Sequence, residues 1–349
     1  MDPNDIERLI FDLYHNPQSQ IANANKYLTL AQVSKEAWTF SWIFLNPSKP
    51  VEVQYFGASS LHMKISRCWH ELTTDEDKST LRNKLLETLV QFMVTDGSSR
   101  VVSTRLSVVM SAFVVHSISD FWPSAIDDLI VNLSPDAGPF HAIPRARVVH
   151  QLIELLTIIP EECVTIYMPS HAKLITKHKL IESHKSVFNY VHQILRQDTS
   201  SSRDNQQLII DIKQLAIKCF ANWSQVLGPL LLEDGHDQLL DLVLECVCDD
   251  ELIVCAVDSI IAIYSHPEIH KYPNTVMKLI VKLTCLESRL DKALNDRDMD
   301  VCQQLFNLFI QVGETHSRLL LDTIATKPDG VEPIIKLITF VLRCSATPG

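Results

Sequence analysis

Apolar residues return along this chain with the period of an α-helix, and the strict alternation of a half-buried strand does not appear. In Asp5–His15, Ile6, Leu9, Ile10 and Leu13 fall on one stripe, and Asn16-Pro17 ends it. Ser19–Val33 repeats the spacing with Ile21, Ala24, Tyr27, Leu28 and Ala31. Lys35–Leu45, Val51–Leu72, Leu81–Val94 and Val101–Ile118 follow, separated by Asn46-Pro47, by Thr73-Thr74-Asp75-Glu76, which reads as a turn and N-cap, and by Asp96-Gly97-Ser98-Ser99. Trp122–Leu133 and Arg145–Ile159 flank a loop at Ser134–Pro139. Glu161–Thr176 contains Pro169 and has no clean period, so it reads as an irregular connection. Lys177–Gln197 is helical, Asp198–Arg203 is a polar hinge, and Asn205–Val226 is a helix stopped by Gly228-Pro229. Helices at Asp237–Val247, Glu251–Ser265, Asn274–Asn295, Asp300–Ala325 and Val331–Cys344 complete the pattern.

Taken in pairs, these helices form a unit of roughly 40–55 residues, near the upper range of HEAT and armadillo repeats. Each pair carries more apolar surface than it can bury alone, and stacking covers it. The expected fold is therefore all-α, an α-solenoid of about seven to eight HEAT-like helix pairs running through residues 1–349 as one continuous array. A compact helical bundle is the structural alternative. It is disfavoured because no long non-helical element closes the chain on itself.

Composition narrows the chemistry. Only 8 of 349 residues are glycine, which argues against phosphate-cradling loops, dinucleotide-binding turns and tight hairpins. The net charge of −11 disfavours nucleic acid and favours basic partners. The 9 cysteines lie mostly in apolar helical runs and read as reduced, buried thiols of an intracellular protein. The N-terminus lacks a signal-peptide core, and the longest apolar stretch, Leu252–Tyr264, is too short for a membrane span and contains Asp258.

No catalytic motif is present, and no enzyme activity or cofactor is expected. Gly57-Ala58-Ser59-Ser60 resembles a nucleophile elbow only in composition and lies within a helical pattern. Cys246, Cys248 and Cys255, with His236 and His266, could be imagined as zinc ligands, but Leu242, Val243, Val247, Ile253 and Val254 surround the thiols with a core pattern, so no metal is expected. His171, His178, His184 and His192 are spaced too irregularly to pair on one helix face. Acidic pairs such as Asp127-Asp128, Glu161-Glu162, Asp249-Asp250-Glu251 and Asp296-Asp298-Asp300 recur near helix ends, where the helix dipole favours them. Gly57 and Gly313 fall inside helical patterns, at a cost of about 1 kcal/mol each, which implies a packing or functional reason, and in Gly57-Ala58-Ser59-Ser60 close packing by a neighbour is the expected one.

The stretch Val53–Arg67 (VQYFGASSLHMKISR), preceded by Ala37–Trp42 and followed downstream by Trp122-Pro123, Leu155–Glu162 and Val312–Asp322, resembles the importin-β (β-karyopherin) family. The resemblance is loosest over Pro169–Gln207. It implies a right-handed superhelix of HEAT repeats with outer A and inner B helices, with residues 23–91 as the importin N-terminal domain. It also implies a nuclear transport receptor shuttling between cytoplasm and nucleus. Such a receptor binds Ran-GTP through the first B helices, carries protein cargo and touches Phe-Gly nucleoporins. It neither binds nucleic acid directly nor inserts into membranes. The residues expected to face Ran are Tyr27 on the first B helix, Gln54, Tyr55, Ser59 and His62 on the second, and Arg105 on the third. A non-transport HEAT-repeat scaffold with constitutive protein partners is the alternative. Family members are much longer, so the chain reads as an N-terminal portion, ending after one helix of an eighth repeat with an apolar stripe uncovered.

Overall fold

The computed structural model describes residues 2–15, 21–95, 97–137, 140, 143–197, 206–228, 237–326 and 331–345. Among these residues every regular element is helical. Contacts divide the chain into two compact units, Met1–Val187 and Phe188–Gly349.

The first unit contains α1 (Pro3–His15), α2 (Ile21–Val33), α3 (Ala37–Phe44), α4 (Val51–Cys68), α5 (Asp75–Val94), α6 (Arg100–Ser117), α7 (Ala125–Asn132), α8 (Arg145–Thr165) and the larger part of α9 (Ser170–Arg196). Helices α1, α3, α5 and α7 each pack on the helix that follows, and α2, α4, α6 and α8 pack in a row. The row forms because its helices are apolar on two opposite sides. In α6, Val102, Leu106, Val109, Met110, Phe113 and Val114 are all buried. In α8 the same holds for Leu152, Ile153, Leu155, Leu156 and Ile159. Such a helix needs one neighbour to cover each side, so pairs stack in sequence order.

The second unit contains α10 (Gln206–Leu227), α11 (Asp237–Cys246), α12 (Ile253–Tyr264), α13 (Pro273–Leu283), α14 (Glu287–Asp296), α15 (Met299–Thr315), α16 (Ser317–Thr326) and α17 (Val331–Ser345). Its row runs α10, α12, α15, α17, with α11, α14 and α16 packed on α12, α15 and α17. Each unit is thus a stack of helix pairs, the α-solenoid arrangement expected from the periodicity.

Polar contacts between neighbouring pairs carry the repeat length. Glu7 accepts from Lys49 at a separation of 42 residues, Thr104 donates to Glu154 at 50, and Asp241 accepts from Lys282 at 41. Arg289 pairs with Asp250 at 39 residues and Arg343 with Asp291 at 52.

Local chemistry explains where the helices begin and break. Thr74 accepts from the Asp77 amide at 3.1 Å while the Asp77 carboxylate accepts from the Thr74 amide at 3.3 Å, a capping box that starts α5. Asp298 caps α15 by accepting from the Val301 amide, and Asp127 and Asp128 occupy the first turn of α7. The acidic pairs at these ends serve the helices.

Several boundaries differ from the pattern reading. α8 runs through Pro160 to Thr165, and α9 begins at Ser170, so most of Glu161–Thr176 is helical. Pro169 stands just before α9, where its missing N–H costs nothing and its carbonyl accepts from the Lys173 amide. Asn274–Asn295 is two helices joined by a 3-10 turn at Thr284–Leu286, where the Thr284 hydroxyl donates to the Val281 carbonyl and competes with the ladder. Asp300–Ala325 is also two helices, α15 and α16, turning at the buried His316. With α16 packed on α17, the eighth unit is a pair and not a single helix. Cys248 and Cys285 are exposed, against the expectation of burial. Burial pushes the Cys246 thiol up to about 11 and raises that of Cys255. His236, the hinge Asp198–Arg203, and Gly138-Pro139 lie outside the described residues.

The two helical glycines have different reasons. A Cβ on Gly57 would meet the Ser41 carbonyl oxygen at 2.8 Å and Phe44 Cβ at 2.9 Å, so α4 approaches α3 too closely for any side chain. Nothing lies within 4 Å of a Cβ on Gly313, which sits in the last turn of α15 and weakens the helix where it ends. Gly57→Ala is expected to lower stability by about 1–3 kcal/mol despite its better helix propensity, because α3 must move. Gly313→Ala is expected to raise stability by up to about 1 kcal/mol. Thermal melts of the two variants check both.

His116, at the end of α6, stacks on Trp69 with ring centroids 4.9 Å apart and an interplanar angle of 13°. Burial lowers its pKa to about 4, against a smaller upward pull from Glu162. Below the ordinary imidazole value the unfolded chain therefore binds a proton that the native state does not. Stability falls as pH drops through that value towards 4, by up to about 3 kcal/mol at the limit. His116→Phe keeps the stack, and its loss of melting temperature between pH 7 and pH 5 is expected to be smaller than in the wild type.

Candidate partner-binding site

Tyr55, Ser59 and His62 are spaced i, i+4, i+7 and therefore lie on one side of α4. Arg105 on α6 meets this side. Its Nε donates to Ser59 Oγ at 3.1 Å, its Nη2 donates to His62 Nδ1 at 3.1 Å, and its guanidinium lies 5.9 Å from the centre of the Tyr55 ring. Arginine has no acceptor, so Nδ1 of His62 must accept, which leaves the ring proton on Nε2. That nitrogen faces Glu162 on α8, at 3.2 Å from Oε1 and 3.3 Å from Oε2. The result is one chain of hydrogen bonds from α4 through α6 and from α4 to α8.

Burial lowers the Arg105 pKa, and Tyr55 and Glu162 partly offset it. The guanidinium stays charged but is poorly solvated, and it contacts Ser59, His62 and the Tyr55 ring. Beside it opens a cavity of about 210 Å³ between α1, α2 and α4, with Leu13, Leu28 and Phe56 on its apolar side and Asn25, Gln32 and Glu52 on its polar side, next to Tyr55 and Ser59. Tyr55 is 37% exposed. The site thus offers a recess with an apolar and a polar side, an exposed phenol and a cation able to take an acceptor.

Four of the six expected residues, Tyr55, Ser59, His62 and Arg105, come together. Gln54 does not join them. It is 5% exposed, and its amide donates to the carbonyls of Asn46, Pro47 and Lys49 at 3.4, 3.2 and 2.7 Å, fixing the turn before α4. Tyr27 packs half-buried against the cluster of Ile6, Ile10, Leu28, Ala31, Phe40 and Phe44. Glu162 was not among the expected residues, since its separation from His62 is 100 residues.

A second polar group was also missed. Lys64 on α4 is fully buried, pairs with Glu71 at 2.7 Å and lies 5.2 Å from the centre of the Trp38 ring, while Trp38 Nε1 donates to the same Glu71 oxygen at 2.8 Å. The Lys64 hydrogen bond, followed by that from Trp38, holds the Glu71 carboxyl below its ordinary range in spite of desolvation. This group braces α3 against α4. Next to it, between α3 and α5, a groove of about 340 Å³ is lined by Trp38, Trp42, Leu72, Leu81, Asp77 and Lys84.

Comparison with known proteins gives the lineage. The family model for the importin-beta N-terminal domain matches residues 24–91, and that for Exportin 1-like protein matches residues 99–260. Importin-13 of Homo sapiens is 32% identical over 345 residues, which are 99% of this chain and 34% of that protein. Importin-13 homolog A of Dictyostelium discoideum is 27% identical over 338 residues, covering 90% of this chain and 29% of that protein. The chain therefore spans about a third of the length of these curated relatives. A crystal structure of importin beta superposes with a TM-score of 0.39 at 10% identity, over 96% of this chain and 45% of that one, and the assignment rests on the sequence matches instead. Those matches cover both structural units in order, and on them the chain belongs to the importin-β (karyopherin) family.

Proposed function

We propose that this chain is the receptor portion of a nuclear transport factor that shuttles between cytoplasm and nucleus and acts by binding rather than by chemistry. The observation that carries the reading is the importin-beta N-terminal domain match over residues 24–91, which contains Tyr55, Ser59 and His62. The GTP-bound form of Ran occupies the row on α4 and α6. An apolar side chain of the GTPase fills the recess beside Tyr55, and one of its carboxylates takes the free donor capacity of Arg105. Protein cargo binds elsewhere on the chain. Phe-Gly segments of nucleoporins suit the groove between α3 and α5, where Trp38 and Trp42, at i, i+4, line it together with Leu72 and Leu81 and offer apolar surface to a phenyl ring.

Immobilised chain is expected to retain Ran loaded with GTP and to release Ran loaded with GDP. Arg105→Ala is expected to weaken retention of the GTP form by about tenfold or more, because a half-buried charge-assisted contact is lost. Equal retention of both nucleotide states would contradict the receptor reading and favour a scaffold with constitutive partners. For the groove, Trp42→Ala is expected to weaken binding of a Phe-Gly repeat peptide several-fold while leaving Ran-GTP binding unchanged, as read by fluorescence anisotropy.

A further inference from the structure

In a stack of helix pairs each pair touches only its neighbours, and stability is a sum of nearest-neighbour terms. The row α4, α6, α8 departs from that rule. His62 and Glu162 are 100 residues apart, close to two repeats, and their side chains meet directly at 3.2 and 3.3 Å. Arg105, on the intervening helix, holds the other imidazole nitrogen at 3.1 Å. The two side chains of the pair are 19% and 12% exposed, so solvent screens the bond little. Its acceptor is a carboxylate, which makes the hydrogen bond one of the stronger kind. Two contacts nearer the start of α8, Thr104 to Glu154 at 2.9 Å and Gln151 to Ser107 at 2.6 Å, tie α8 only to its neighbour α6. The end of α8 is the part that reaches past α6 to α4.

We propose that the His62–Glu162 bond, oriented by Arg105, is a lock between non-adjacent repeats that makes α4, α6 and α8 open as one cooperative block. Arg105 orients the imidazole by donating to Nδ1, which places the proton on the nitrogen that Glu162 needs. An acidic group captured by Arg105 competes with His62 for the guanidinium, so a partner seated on α4 and α6 loosens the end of α8. This last consequence rests on the partner site proposed above, whereas the lock itself is a property of the unliganded chain and is tested without any partner.

Native-state hydrogen exchange on the full 349-residue chain is the test. In the wild type, amides of α4, α6 and the last two turns of α8 are expected to share one opening rate. Glu162→Ala and His62→Ala are each expected to speed exchange in the last two turns of α8 roughly tenfold relative to α4. The double variant is expected to show no more than either single one, because both remove the same bond. Glu162→Gln, which keeps an acceptor for the Nε2 proton, restores most of the protection. Glu7→Gln, which disturbs only the contact with Lys49 in the neighbouring pair, leaves α8 unchanged. The lock is overturned if Glu162→Ala leaves α8 at the wild-type rate, or if the two single effects add.

Discussion

The structure depends on one constraint: the second helix of each pair is apolar on two opposite sides. Neither its own partner nor solvent can satisfy both sides, so the preceding and following pairs must. That requirement places α2, α4, α6 and α8 side by side in one unit and α10, α12, α15 and α17 in the other. It also sets the distance in sequence at which everything else happens. An ion pair or hydrogen bond between neighbouring pairs joins residues about one repeat apart, such as Glu7 with Lys49 and Thr104 with Glu154. The scarcity of glycine belongs to the same logic, since long straight helices with close-packed flanks leave few positions for it. Gly57 is retained because α3 lies against its backbone.

The helical periodicity made most of the fold readable, including the repeat length, and the polar run Thr73–Glu76 marked the N-cap of α5. It failed where a helix is broken or continued by a local interaction that periodicity does not register. The Thr284 hydroxyl bond and the buried turn at His316 each split a segment whose apolar spacing runs on unbroken. Glu161–Thr176, with Pro169 inside it, read as an irregular link, yet α8 continues through Pro160 to Thr165 and Pro169 stands just outside α9.

The site divides along a similar line. Tyr55, Ser59 and His62 share a stripe, and Arg105 stands 46 residues beyond Ser59, so the repeat length brings it back to them. Gln54 and Tyr27 have the same polar or amphipathic character, but the amide of one is held by loop carbonyls and the ring of the other packs half-buried against a core cluster. Polarity alone does not distinguish a side chain that serves the fold from one available to a partner. Glu162 lay beyond reach because it acts across two repeats. Lys64 was unreadable for another reason: its burial depends on Glu71 and an indole arriving from different helices.

Family membership and the geometry of α4 and α6 meet in one claim, that the polar row beside the α1–α2–α4 recess is the surface a GTPase occupies. A hydrogen-exchange footprint of the chain with and without GTP-loaded Ran measures this surface most directly. The account predicts new protection on α4 around Tyr55–His62 and on α6 around Arg105. Protection confined to α10–α17, with α4 and α6 exchanging as in the free chain, would contradict it.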